Sequence, residues 1–152
     1  MLKNIDPLLG PQLLYVLAEM GHGDEIALVD ANFTARRLAG DKPIIRLDGV
    51  GLARACDAVL SVLPLDEAVT HPVVFMKVSD TPEGYVSDVQ KEVLDTLSKW
   101  KVPLSKVKPV ERFAFYDLFP GVFAIVQTGE LRPYGNFIFK KAVILGGAET
   151  AR

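Results

Sequence analysis

The chain is predicted to adopt an α/β fold, a single-domain layered structure whose central sheet of about six strands is flanked by helices. Three observations predict it. The 152 residues are 49% hydrophobic, enough for one globular domain that hides its core without a disulfide or metal staple. Apolar residues at helical spacing alternate along the chain with short, nearly continuous apolar runs, the pattern of strands buried on both faces by helices. No repeat or low-complexity linker interrupts residues 1–152, which are read as one domain.

Taken in order, Pro11 opens a helix marked by Leu13, Val16, Leu17 and Met20, and Gly21 and Gly23 stop it. Glu25–Val29 follows as a strand that exits through the polar Asp30-Ala31-Asn32. Ile44–Leu47 reads as a second strand after Pro43. Asp48 is expected to cap a helix running to about Leu63, with Leu52, Ala55, Val59 and Val62 on one face and Pro64 at its end. Val73–Val78 is a third strand. Val86, Val89, Val93, Leu97 and Trp100 then mark a helix of about 15 residues before Pro103, with Trp100 expected in the core. Phe113–Phe119 fits either a helix or a strand. Phe123–Thr128 and Asn136–Leu145 read as the last strands, joined by the turn-forming segment Gly129–Gly135.

Charge and composition exclude several function classes. With 17 basic and 19 acidic side chains the formal charge is −2, and no stretch gathers Lys and Arg into a phosphate-binding stripe, so no nucleic-acid partner is expected. The four lysines of Lys99–Lys108 read as a solvated edge. No apolar run reaches the roughly 18 residues that span a bilayer, and Gly10 and Pro11 break the first apolar run before it resembles a signal peptide. Cys56 stands alone, which excludes an internal disulfide and a cysteine-based zinc site and suits a reducing compartment. A soluble cytoplasmic protein without membrane contact is the expectation.

The common catalytic signatures are missing. There is no P-loop, no Gly-x-Gly-x-x-Gly fingerprint, no Gly-x-Ser-x-Gly elbow and no His-Glu-x-x-His pair. Asp48-Gly49-Val50-Gly51 reads as a turn rather than a phosphate cradle. With only His22 and His71, and no carboxylates at ligand spacing, no metal is expected. What remains is Gly21-His22-Gly23-Asp24, an imidazole left uncrowded between two glycines where a helix hands over to a strand. A plain helix stop explains that tetrapeptide as well. Asp30 sits where an α/β strand ends, the edge at which such sheets build binding sites, and a polar turn accounts for it equally. Arg112, Tyr116, Tyr134 and Asn136 add aromatic faces and hydrogen-bond donors suited to a polyhydroxylated ring.

Together these segments carry a resemblance. Gly21-His22-Gly23-Asp24-Glu25, Asp30-Ala31-Asn32-Phe33, Glu111-Arg112-Phe113-Ala114-Phe115-Tyr116, Thr128-Gly129-Glu130 and Tyr134-Gly135-Asn136 resemble the L-fucose mutarotase and D-ribose pyranase family, in the family's order from Leu2 to Lys141. The Arg112–Tyr116 run is closer to the fucose mutarotase branch than to the ribose branch. The resemblance implies the family's α/β fold and a free monosaccharide substrate handled without a cofactor. It also implies a ring-shaped homo-oligomer, typically a decamer, with sugar sites where neighbouring subunits meet. Carried over residue by residue, the acid/base histidine falls on His22 and the sugar-holding aspartate on Asp30. Tyr116 matches a tyrosine implicated in proton transfer, Arg112, Tyr134 and Asn136 match pocket residues, and Asp66 aligns with a further sugar contact. Two departures stand out: Thr34 follows Phe33 where many relatives have proline, and Pro120-Gly121 replaces a lysine-rich helical turn. Because proline cannot continue a helix, the chain beside Tyr116 is expected to differ in shape.

The implied reaction is anomer exchange. A cyclic hemiacetal opens when its ring oxygen gains a proton as the anomeric hydroxyl loses one, and recloses on the other face of the aldehyde. Two proton carriers suffice, and an imidazole with an ordinary pKa near ~6.5 suits one of them. The alternatives are a pyranase that recloses ribose on a different hydroxyl and a sugar-binding module without catalysis.

Overall fold

The strand Glu25–Val29 (β1) shows why this sequence builds a layered sheet: Ile26, Ala27, Leu28 and Val29 are all fully buried, so both of its faces are covered. In the computed structural model, which describes residues 1–146, β1 lies inside a six-stranded mixed sheet. The other strands are β2 (Ile44–Leu47), β3 (Val73–Met76), β4 (Val107–Val110), β5 (Val122–Thr128) and β6 (Phe137–Lys140), in the spatial order β2-β5-β1-β6-β3-β4. β1 and β2 pair parallel with β5, and β3 pairs parallel with β4. β6 runs antiparallel between β1 and β3.

Alternate side chains of β1 feed two cores. Ile26 and Leu28 join the larger one with Leu13, Val16 and Leu17 of α1 (Pro11–Glu19), Ala55 and Val59 of α3 (Leu52–Leu60), and Val93 and Leu97 of α4 (Asp88–Lys99). Ala27 and Val29 join the smaller one with Ala35 and Ala39 of α2 (Ala35–Ala39) and Phe115 of α5 (Arg112–Tyr116). Phe33, Phe115 and Phe119 fill that layer, with ring centroids 5.1 to 6.3 Å apart. Each such buried aromatic contributes about 1.5–3 kcal/mol.

The helices start and stop for local reasons. Pro11 occupies the first turn of α1, where a missing N–H costs nothing. At its other end the Lys141 ammonium donates to the carbonyls of Leu17 and Met20, satisfying acceptors the helix leaves open. Ser87 and Gln90 form a reciprocal capping box at the start of α4.

Several expectations need correction. Asp48 does not cap α3; its carboxylate pairs with Arg46, and Gly51 takes the capping position without a side-chain bond. Trp100 is 41% exposed because α4 ends at Lys99, so the tryptophan leaves the apolar stripe and donates its indole N–H to Asp57 at 2.8 Å. Phe113–Phe119 is helical, as α5 followed by a 3-10 turn at Phe119–Gly121. The last strand stops at Lys140, short of Leu145. The short α2 and the edge strand β4, whose lysine and proline mask any apolar alternation, were not anticipated. Among the described residues no helix is long and apolar enough to cross a membrane.

Candidate functional site

The antiparallel register of β1 and β6 places Leu28 opposite Phe137, so the residue leaving β1, Asp30, lies beside the residue entering β6, Asn136. Their contact is direct: the Asp30 backbone N–H donates to Asn136 Oδ1 at 3.0 Å. Asp30 Oδ1 in turn accepts the Asn32 N–H at 3.0 Å, a local turn that points the carboxylate inward. Asp30 is only 3% exposed, and burial pushes its carboxyl above the usual carboxylate range despite these bonds. Around it, Asn32, Phe33, Met76, Arg112, Tyr116, Pro133, Tyr134 and Asn136 close a cleft of about 220 Å³.

Arg112 and Tyr116 reach this cleft from α5, four residues apart and therefore on one face. Glu111 sets the helix start by accepting the N–H groups of Phe113 and Ala114, which hold its own carboxyl low. Arg112 Nε–H donates to the Tyr116 hydroxyl oxygen at 3.0 Å, and the guanidinium lies 5.6 Å from that ring's centroid. The phenol packs edge-on against Phe33. Pro120-Gly121 lies past Tyr116, in the 3-10 turn whose carbonyls at Phe119 and Pro120 accept the Lys42 ammonium. The departure in sequence thus falls beyond the cleft wall. Arg112 and Tyr134 also border a larger open cleft of about 510 Å³ on the side of Lys77, Asp80 and Phe113.

Residues that sequence reasoning gave no role hold these groups in place. Gln90, fully buried, donates its amide to the carbonyls of Met76 and Tyr134 at 2.7 and 3.0 Å, and Tyr134 sits in a left-handed backbone conformation with φ 62°. Gln127 donates to the carbonyls of Ala31 and Phe33, and Thr128 to that of Val29. Glu130 accepts Arg132, the Arg132 N–H and the first amide of α3, and the Arg132 guanidinium drives its carboxyl down to about 2. Gly129 is obligatory, since a Cβ there would lie 2.4 Å from the backbone nitrogen of Gly49. The capping-box spacing of Ser87 and Gln90 was legible as a helix start; nothing in the sequence announced the second use of Gln90.

His22 and Asp66 lie elsewhere. His22 precedes β1 whereas Asp30 follows it, so five strand residues, about 16 Å, separate them along one chain. The imidazole is 54% exposed, and its Nε2 lies 3.1 Å from Asp66 Oδ2. Of the seven expected site residues the fold therefore gathers Asp30, Arg112, Tyr116, Tyr134 and Asn136 in one cleft. It pairs His22 with Asp66 at the opposite end of β1. Among the described residues no group of three or more His, Cys, Asp or Glu is arranged to hold a metal ion.

Residues 3–144 match the model of the RbsD / FucU transport protein family. The chain belongs to that family. The L-fucose mutarotase of Actinobacillus pleuropneumoniae serotype 5b (strain L20) is 42% identical over 145 residues, covering 94% of this chain and 97% of the relative. The fucose mutarotase of Homo sapiens is 42% identical over 146 residues, covering 94% of each chain. The crystal structure of the fucose mutarotase of Streptococcus pneumoniae in complex with L-fucose superposes with a TM-score of 0.86 at 35% identity, over 95% of this chain and 100% of that one. The RbsD / FucU assignment extends over the cleft and the His22 loop alike, because both fall inside the matched segment.

Proposed function

We propose that this chain is an isomerase that interconverts the α and β anomers of a free monosaccharide, L-fucose or a similar sugar, by acid–base opening of the ring. The observation that carries the reading is the cleft at the end of β1. It offers a buried carboxylate, an amide, an arginine–tyrosine pair and the apolar walls of Phe33, Met76 and Pro133, a set suited to hydroxyls on one side of a ring and carbon on the other. Full-length similarity to proteins named fucose mutarotase supports the same chemistry.

In this reading Asp30 and Asn136 hold hydroxyls. Arg112 donates to the Tyr116 oxygen, which leaves the phenolic hydrogen free to be given to the sugar. His22 supplies the second proton path. Since the length of β1, about 16 Å, lies between it and the cleft of its own chain, the complete site takes His22 from a second copy. A closed homo-oligomeric ring of ten copies provides such contacts repeatedly, and the lone buried Cys56 suits a cytoplasmic location. General acid–base groups supply about 10²–10⁴-fold, adequate for a reaction that already proceeds in water.

Saturation-transfer NMR on fucose, galactose, ribose and rhamnose tests the reading, with the fastest anomer exchange expected for fucose. Preferential pyranose–furanose exchange of ribose would convert it to a pyranase, and saturable binding with no rate gain would sink it. Mixing His22→Ala chains, slow in exchange, with Asp30→Asn chains, weak in binding, and reassembling them at sugar concentrations too low to saturate the Asp30→Asn site tests the shared site. About a quarter of the sites should regain both residues, and no recovery would refute a site built from two chains.

A further inference from the structure

Asp66 is expected from resemblance to touch the sugar, yet both of its oxygens are committed within the protein. Oδ2 lies 3.1 Å from His22 Nε2, and Oδ1 accepts the Ala68 N–H at 3.1 Å. The carboxylate is 7% exposed where the imidazole is 54% exposed. A carboxylate only accepts, so the hydrogen between the two side chains belongs to Nε2. Nδ1 then carries the lone pair of the neutral ring, and among the described residues it has no hydrogen-bond partner.

The backbone fixes this pairing from both sides. The Asp66 N–H donates to the Lys140 carbonyl at 3.0 Å, and Leu65 bridges Lys141. The Lys141 carbonyl accepts the Gly23 N–H at 2.8 Å, and the Lys141 N–H returns a bond to the Asp24 carbonyl. One strand end therefore holds the loop of Asp66 and the loop of His22 at a set spacing. Gly23, with φ 84°, lets the His22 loop turn into that bond.

We infer that Asp66 is the positioning residue of the proton carrier: it keeps His22 in the Nε2–H tautomer and leaves Nδ1 as the atom that exchanges protons with the sugar. The inference rests on His22 being the carrier proposed above. In the opening step the anomeric O–H bond breaks and its proton goes to Nδ1. The freed electron pair becomes the C=O bond, and the ring C–O pair passes to the ring oxygen, which takes a proton from Tyr116 or water. Reclosure returns both protons. The Asp66 carboxylate bonds the imidazolium formed between these steps and is not itself protonated.

The test is Asp66→Asn, with Asp66→Ala as a second variant, in the full chain labelled with 15N-histidine. Long-range 1H–15N correlation spectra should assign the His22 Nε2–H tautomer in the unsubstituted protein and a mixture of tautomers in both variants. The anomer exchange rate should fall at least about tenfold while sugar affinity stays within about twofold. An unaltered tautomer in both variants, or a loss of affinity as large as the loss of rate, overturns the inference and returns Asp66 to the role of sugar contact. Full acceleration in His22→Ala would overturn the reading beneath it, a result distinguishable because the tautomer measurement does not depend on turnover.

Discussion

At the C-terminal end of β1, Asp30 is buried among fixed partners, whereas at the N-terminal end His22 stands half in solvent with one side-chain partner. The two ends also differ in what holds them. Around Asp30 the side chains of Asn136, Gln90, Gln127 and Thr128 bond directly to the cleft's backbone, so its shape exists before any ligand arrives. Around His22 the bonds run between backbone groups of Gly23, Asp24, Asp66, Lys140 and Lys141, and the imidazole projects from them. A preorganised cleft suits holding a sugar at low entropic cost. A projecting imidazole suits meeting a sugar held by something else, which in the proposed function is a second copy.

That contrast breaks most readily at His22. His22→Ala is expected to remove about 10²–10⁴ of the exchange acceleration while sugar affinity changes less than about twofold, as read by saturation-transfer NMR and titration. A mutant that lost affinity instead would put His22 in the binding set and erase the division.

Asp30→Asn should do the opposite, weakening sugar binding about tenfold to hundredfold, or 1.4–2.8 kcal/mol, without melting the fold. The sign of the stability change sharpens the test. Because the folded-state pKa of Asp30 is raised, its contribution is fully present below the unfolded value of 3.8 and is lost as pH rises through the folded value. Above the folded value the ionised, buried carboxylate is therefore a cost, and there the neutral amide should melt at or above the temperature of the unsubstituted protein. A clear fall in melting temperature would mean that Asp30 is structural.

Gln90→Leu removes the two donors to Met76 and Tyr134, and leaving those carbonyls unpaired should cost about 2 kcal/mol of stability. Sugar affinity should fall with it as Tyr134 relaxes from its left-handed conformation. Normal affinity in a destabilised protein would show that Gln90 supports only the fold.

Glu130→Gln is expected to have the smallest effect, about 1 kcal/mol, since its partner Arg132 is half exposed. The pH dependence carries the sign. The folded pKa of about 2 lies below the unfolded 4.5, so the stabilisation is present above pH 4.5 and lost as pH falls towards 2. Urea titrations across that window should show the unsubstituted protein losing its advantage over the variant.

Local sequence determined much of this molecule. Helical spacing at Leu13, Val16 and Leu17, the apolar run of β1, and the prolines and glycines that end elements depend on neighbours in the chain, and α1, β1, β2, α3, β3, α4 and β5 follow from them. The resemblance across Gly21–Glu25, Asp30–Phe33, Glu111–Tyr116 and Tyr134–Asn136 nominated all the site residues but Asp66 for the same reason, because a short motif keeps its residues in order. Tertiary structure decided what no local pattern encodes. Only the antiparallel insertion of β6 brings Asn136 to Asp30 across 106 residues, sends Lys140 and Lys141 to the loop of His22, and makes a buried glutamine of a helix start into a clamp on Tyr134. Hydrogen bonds between distant segments depend on how strands are ordered in space, and the length of β1 then keeps His22 and Asp30 of one chain apart.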